Sequence, residues 1–373
     1  LVGSEMCIRD RYGNNVLATG AQNNAALVFG NTGNIGFAAA GSMTLTLQGN
    51  STGDNEIDLK LTDNTDGSPL SLVKSGAGLW ILGGSQNTYS GITSVNAGVL
   101  RAQDGAGLSS NSNLYLNGGI FESSGTFTRS FGSGAGQVMW APGVNSGFAA
   151  SASKLVVNFG GSGAPVYWGV GGIGNGTGQL LLGSSTSLAE TEIRNPIVLG
   201  SGYATTRTIA VADNTTTTTD YSTISGVISG SASAGIAALT ISNAGALALT
   251  GNNTFTGGGN ATAGSGGVAL ANGTLIINSF AGPGPLGALN GANDVVNRFI
   301  HGSGGNSTAL TYVGAGETVQ RIIEIAGSGG TATIEADGYG ALVIPAGSLT
   351  FTNTGTKTLN LRGNSLEANT VSA

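Results

Sequence analysis

The 373-residue chain reads as an all-β solenoid. Three observations predict it. Short apolar runs alternate with glycine-bearing turns along the whole length, strand-sized units recur within the chain, and no stretch spaces its apolar residues at helical intervals. A unit too small to close its own core must stack on a neighbour, and that requirement defines a solenoid.

The recurrence is clearest between residues 72–108 and 239–289. LVKSGAGLWILGGSQNTYSGITSVNAGVLRAQDGAGL begins at Leu72, and NAGALALTGNNTFTGG restates its GAGLWILGGSQNTYSG. GTLII from Gly273 to Ile277 stands where GVLRA stands from Gly98 to Ala102. A second pair joins distant parts of the chain: TLTLQGNSTGDNEI at Thr44 resembles TLNLRGNSLEANTV at Thr358. Each follows an ALV run, at Ala26 and at Ala341.

Within these units apolar residues fall two apart, at Leu45 and Leu47, Leu114 and Leu116, Leu239 and Ile241, Leu247 and Leu249, Leu342 and Ile344, Leu349 and Phe351, and Leu359 and Leu361. Period-two pairs closed by Gly, Asn or Ser are short strands between tight turns, each pair facing one side. Glycine suits the turns because it adopts positive φ without steric cost. Asparagines such as Asn252 and Asn364 are expected in left-handed positions or stacked in ladders between coils. Short strands also build sandwiches, barrels and propellers. Blade signatures are absent, however, and Asn-Gly hairpin dipeptides are sparse, as at Asn117, Asn175, Asn272 and Asn290.

The residues from Leu72 resemble the autotransporter-associated β-strand repeat, also called the passenger-associated transport repeat, of bacterial surface proteins. That pattern runs K-x-G-x-G-x-x-x-L-x-G, then N-T-Y-x-G, then a glycine and an apolar strand. Lys74, Gly76, Gly78, Leu82, Asn87, Thr88, Tyr89, Gly91, Gly98 and Leu100 fill it in order. The second copy, with Asn253, Thr254, Phe255 and Gly257, lacks the lysine, replaces tyrosine by phenylalanine, and carries a glycine-rich stretch between Gly257 and Gly273. The resemblance implies a right-handed parallel β-helix exported to the outside of a Gram-negative cell, with an outer-membrane translocator barrel in the full-length protein.

LVGSEMCIRD at Leu1 to Asp10 is readable as the translation of a transposon adapter used in sequencing libraries, with Arg11 encoded across the junction. Residues 1–11 are therefore expected to be an adapter artefact, as in a metagenomic fragment, and are excluded from fold reasoning. On that reading the lack of a signal peptide carries no information and Cys7, the only cysteine, is not native. The chain stops at Ala373 inside what reads as another repeat, so truncation is expected at both ends.

Composition narrows the function classes. Length alone allows two or three ordinary domains, but the even texture of residues 12–373 offers no linker, and repeat arrays escape that prior. Glycine numbers 67 and charged residues make up 9% of the chain, yet hydrophobic residues reach 40%, unlike a disordered polymer. A net charge of -6 argues against nucleic acid, which needs clustered Lys and Arg. No apolar run approaches the roughly 20 residues of a membrane-spanning helix.

Chemistry-bearing residues are few. His301, the only histidine, is expected in a turn, without the nucleophile and acid that a triad needs. Once Cys7 is set aside, thiol catalysis and cysteine-based zinc sites have no residue to rest on. Gly169, Gly171 and Gly174 satisfy G-x-G-x-x-G, but the LLL that follows reads as a strand rather than the helix a dinucleotide site requires. Asp54, Glu56, Asp58, Asp63 and Asp66 offer hard oxygen ligands suited to calcium, without a full calcium loop. Glu317, Arg321, Glu324, Glu335 and Asp337 form a second cluster, of the kind that glycan-cleaving β-helices place on adjacent coils. Solvated turns and a scattered solvent face account for both clusters more simply. No catalytic residue, cofactor site or metal site is assigned.

Of the aromatics Trp80, Tyr89, Tyr115, Trp140, Tyr167, Trp168 and Tyr203, the Tyr167-Trp168 pair lies outside the repeat pattern and is the candidate surface contact. Two function classes remain. The favoured one is a non-enzymatic surface passenger, a stalk or adhesin contacting glycans or surface proteins of host or neighbouring cells, whose repeats assist export by sequential folding. The alternative is a secreted carbohydrate-active β-helix, either lyase or hydrolase.

Overall fold

The computed structural model describes residues 14–19 as backbone, together with residues 25–258, 266–290, 294, 296–302, 305–327 and 329–372. The adapter expectation for residues 1–11 lies outside them. Among the described residues there is no helix, and every strand-to-strand ladder is parallel. The fold is a parallel β-helix.

Along the faces that follow, each strand pairs with the equivalent strand of the next turn. On the first face the successive rungs are Asn14–Thr19, Met43–Gly49, Leu70–Lys74, Thr93–Val95, Leu114–Leu116 and Val138–Trp140. The second face starts at Val28–Phe29 and climbs through Asn55–Ile57, Leu79–Leu82 and Val99–Ala102 to Ile120–Phe127 and Ser146–Val157. It then continues from Leu180–Leu182 through Arg207–Val211, Leu239–Ser242, Val268–Leu270 and Phe299–His301 to Ile323–Ile325 and Leu349–Phe351. Because each rung joins the next turn rather than returning to the first, the set winds as a coil and closes no barrel.

A third face opens where two strands turn a corner. In Ile120–Phe127 the register slips between Ser123 and Gly125, and Gly125 takes a φ of 76° that an L side chain resists. Ser146–Val157 then serves two faces, its first residues pairing with Leu180–Leu182 and its last with Thr191–Ile193. Phe121, Phe127, Phe148 and Phe159 fill the interior at this corner, with ring centroids from 5.0 to 6.3 Å apart. From there the third face runs through Ser222–Ile224, Ala246–Leu249, Gly273–Ile277, Thr308–Tyr312 and Thr331–Ala336 to Thr358–Arg362.

The period-two pairs point inward as expected at Leu45 and Leu47, Leu114 and Leu116, Leu239 and Ile241, Leu247 and Leu249, and Leu342 and Ile344, all buried. Each such aliphatic side chain withdrawn from water contributes about 1.5–3 kcal/mol. Phe351 and Leu361 differ: both are exposed, because they lie on the last described coil and no described coil covers them. The LLL after the glycine-rich run is a strand, Leu180–Leu182, as the sequence indicates.

Candidate functional site

The repeat at residues 72–108 is built around buried polar groups. Lys74 ends the strand Leu70–Lys74 with its side chain inside the coil, fully buried. Its ammonium donates to the carbonyls of Ser75 (3.2 Å) and Gly76 (2.8 Å) in its own turn, and of Ala97 (2.9 Å) in the turn above. Burial depresses its pKa from 10.5 to about 8. Gly76 and Gly98 sit at φ of 75° and 62°, and a Cβ on Gly78 would collide with the Ser51 carbonyl. These glycines let successive turns stack backbone against backbone.

Asn87, Tyr89 and Gly91 point inward while Thr88 faces solvent. Asn87 Oδ1 accepts the Leu61 N–H (2.8 Å) from the coil below, and its Nδ2 donates to the Gly107 carbonyl (2.7 Å) in the coil above. Tyr89 hydroxyl bonds Thr93 Oγ1 (2.8 Å), which bonds Ser112 Oγ (2.8 Å), which donates to the Gly91 carbonyl (2.7 Å). Leu82 and Leu100 are buried beside Trp80, whose Nε1 donates to the Gln48 carbonyl.

The looser copy repeats this geometry. Asn253 Oδ1 accepts the Ile228 N–H (2.7 Å) below and Nδ2 donates to the Pro285 carbonyl (2.9 Å) above. Phe255 and Gly257 are buried and Thr254 is exposed, as in the first copy. Ile241, fully buried, replaces Lys74 in that copy and leaves no ammonium to hold the turns. Part of the glycine-rich stretch between Gly257 and Gly273 lies outside the described residues.

Several residues sit otherwise than the sequence suggests. Tyr167 is 63% exposed but Trp168 only 3%, because adjacent strand residues face opposite sides. Trp168 instead donates its Nε1 to the Gly178 carbonyl, so the surface candidate reduces to Tyr167 alone. Trp80, Tyr89, Trp140 and Tyr203 are buried as well, and Tyr203 donates its hydroxyl to the Ala238 carbonyl. His301 is a buried strand residue rather than a turn residue: Nδ1 lies 2.7 Å from Thr308 Oγ1 and Nε2 2.8 Å from the Thr333 carbonyl. Asn252 and Asn364 are exposed, and the stacking role falls to Asn55, Asn87 and Asn253.

Most carboxylates of the two acidic clusters are occupied by local bonding; Glu56 instead faces Asp58, and burial, then the neighbouring Asp58 carboxylate, raises its pKa. Asp63 accepts the Leu70 and Ser90 amides and Asp66 those of Ser68 and Gly41; these bonds hold both carboxyls below the usual range, at Asp63 against the opposing effect of burial. Glu317 accepts the Phe280 amide and the Ser279 hydroxyl. Glu324 pairs with Arg298, Glu335 with Arg362, and Asp337 accepts the Asn364 amide. Arg321 is buried and donates to the carbonyls of Phe280, Gly287, Ala288 and Asn297.

Two arrangements carry no clear mark in the sequence. Buried Glu122 pairs with Arg101 (2.5 Å) and accepts the hydroxyls of Ser184 and Thr186, two coils later, so that segment lies as a strap across the second face. Arg129 is buried, pairs with Asp104 (2.7 Å), and donates to the carbonyls of Ser109 and Ser112. Beside it Thr126, Thr128, Ser130 and Ser110 line an open polar groove of about 510 Å³. The only advance signal is the rarity of charge in the chain.

No curated protein and no solved structure matches the chain. The family model described as Passenger-associated-transport-repeat matches residues 72–102, the stretch whose lysine, glycines, asparagine and tyrosine form the interior just described. The chain thus carries, at residues 72–102, a repeat of the kind that autotransporter passengers contain.

Proposed function

We propose that the chain is a non-enzymatic passenger segment displayed outside a Gram-negative cell, a stalk whose coils fold in sequence during export through an outer-membrane barrel. The observation that carries this reading is the ladder pattern: along the three faces traced above, a strand's ladder partners lie one turn before and one turn after it. Each arriving coil therefore needs only its neighbour to bury its apolar face. Docking on a formed edge opposes sliding back through the pore. Asp54, Asp63 and Asp66 of the first cluster and Glu317, Glu324, Glu335 and Asp337 of the second are engaged in caps and ion pairs, which supports a non-catalytic role for them.

As a displayed surface the segment contacts glycans or cell-surface proteins of hosts or neighbours. The groove beside Arg129 suits a neutral glycan, since its hydroxyls and the Asp104 carboxylate match sugar hydroxyls. Tyr167 offers an exposed aromatic face for stacking.

The export step is tested in the full-length protein with two cysteines placed on loops distant in sequence and adjacent in the coil. A disulfide closed in the periplasm forces two strands into the pore at once. Surface display should stall only under periplasmic oxidation. Equal display, with the disulfide shown to have closed before translocation, overturns the reading.

A further inference from the structure

Three buried asparagines share one polarity. In Asn55, Asn87 and Asn253 the carboxamide oxygen accepts an amide from the preceding coil, Leu27, Leu61 and Ile228 respectively. The carboxamide nitrogen donates to a carbonyl of the following coil, Leu79, Gly107 and Pro285. Two of the three are the asparagines of the two repeat copies. A carboxamide alone among side chains of this size offers an acceptor and a donor on one planar group.

We propose that the repeat asparagine is a two-sided latch that couples the docking of one coil to the docking of the next. In the complete coil both halves are satisfied. When only one neighbour has docked, the other half of the carboxamide is a polar group at the edge of the apolar interior, and burying it without a partner costs free energy. Docking of the second neighbour in correct register avoids that cost by supplying the carbonyl; docking slipped by one residue does not, because it moves the carbonyl by roughly 3.3–3.6 Å, out of hydrogen-bond reach. Lys74 adds the same kind of tie in the first copy, joining its own turn to Ala97 in the turn above. The latch gives sequential folding a register check, and only its use in export rests on the function proposed above.

The test uses the purified full chain and hydrogen exchange read by mass spectrometry. Asn87→Asp keeps an acceptor for the Leu61 amide but sets a carboxyl oxygen against the Gly107 carbonyl. Protection should survive in the peptide containing Leu61, while peptides at residues 103–108 should exchange on the order of tenfold faster. Asn87→Ala should lose protection on both sides, and Thr88→Ala on neither. Should Asn87→Asp fail to fold, Asn253→Asp is read at Ile228 and at residues 284–286. Symmetric loss in the Asp variant, or unchanged exchange in the Ala variant, overturns the latch. Because no export step enters the measurement, a failure of surface display with this asymmetry intact counts against the passenger function alone.

Discussion

Asn243 stands at a φ of 67° where Gly76, its counterpart in the first copy, stands at 75°. The turn before each of these repeat strands thus needs a left-handed residue, which glycine fills without strain and asparagine tolerates at modest cost. The glycines that follow, Gly98 and Gly273, repeat the conformation at 62° and 78°, and a Cβ on either would stand 2.5 Å from each of two carbonyl oxygens.

The two positions are nevertheless not interchangeable. A Cβ on Gly76 would lie 2.6 Å from the Gly49 carbonyl, whereas Asn243 already carries its side chain. Gly76→Asn should therefore lower the unfolding free energy by about 2 kcal/mol or more, from overpacking against backbone, while Asn243→Gly should change it by less than about 1 kcal/mol. Urea unfolding of both variants checks this. Equal losses would mean that φ alone governs the turn.

His301 supplies an acid-sensitive point. Burial holds its pKa at about 4 instead of 6.5, outweighing the bond to the Thr333 carbonyl, so the folded imidazole is neutral where the unfolded one is charged. Between pH 6.5 and 4 the unfolded state binds more protons, and stability falls as pH falls through that window. The loss should reach about 3 kcal/mol by about pH 4. Urea midpoints measured at about pH 7 and about pH 4.5 should lie closer together in His301→Gln than in the wild type. Identical pH dependence would show that other groups govern acid lability.

Much of the fold is legible in the sequence because a strand's period of two depends on local residues alone. Leu114 and Leu116 declare an inward face with no reference to the rest of the chain. The repeat asparagines are visible as a motif, but their bonds are not, since Leu61 and Gly107 belong to other coils. The same limit hides Arg321, grouped by sequence with acidic neighbours yet turned inward to cap four carbonyls. Tyr167 and Trp168 show the converse: adjacency in sequence suggests a shared surface, and the pleat divides the pair. His301 looks like a turn residue because glycine follows it, but Phe299 and Ile300 carry the strand through it.

Lys74 gives the repeat a response at the alkaline end. Its pKa is held near 8 by burial, against 10.5 for a free side chain. Below pH 8 both states keep the proton, and the folded state bears the cost of a buried charge that the Ser75, Gly76 and Ala97 carbonyls partly offset. As pH rises from 8 to 10.5 the folded state releases its proton first, so the unfolded state holds more protons and stability rises. The wild type should therefore gain stability relative to Lys74→Met across that window, with the gain confined to it. Ile241 in the second copy indicates that an apolar side chain is compatible with the position, so the Met variant should fold. Guanidinium unfolding at about pH 7, 9 and 10.5 measures the difference. A constant gap between the two proteins would mean that the three carbonyls compensate the ammonium fully, making Lys74 a permanent cationic tie between turns rather than a titrating one.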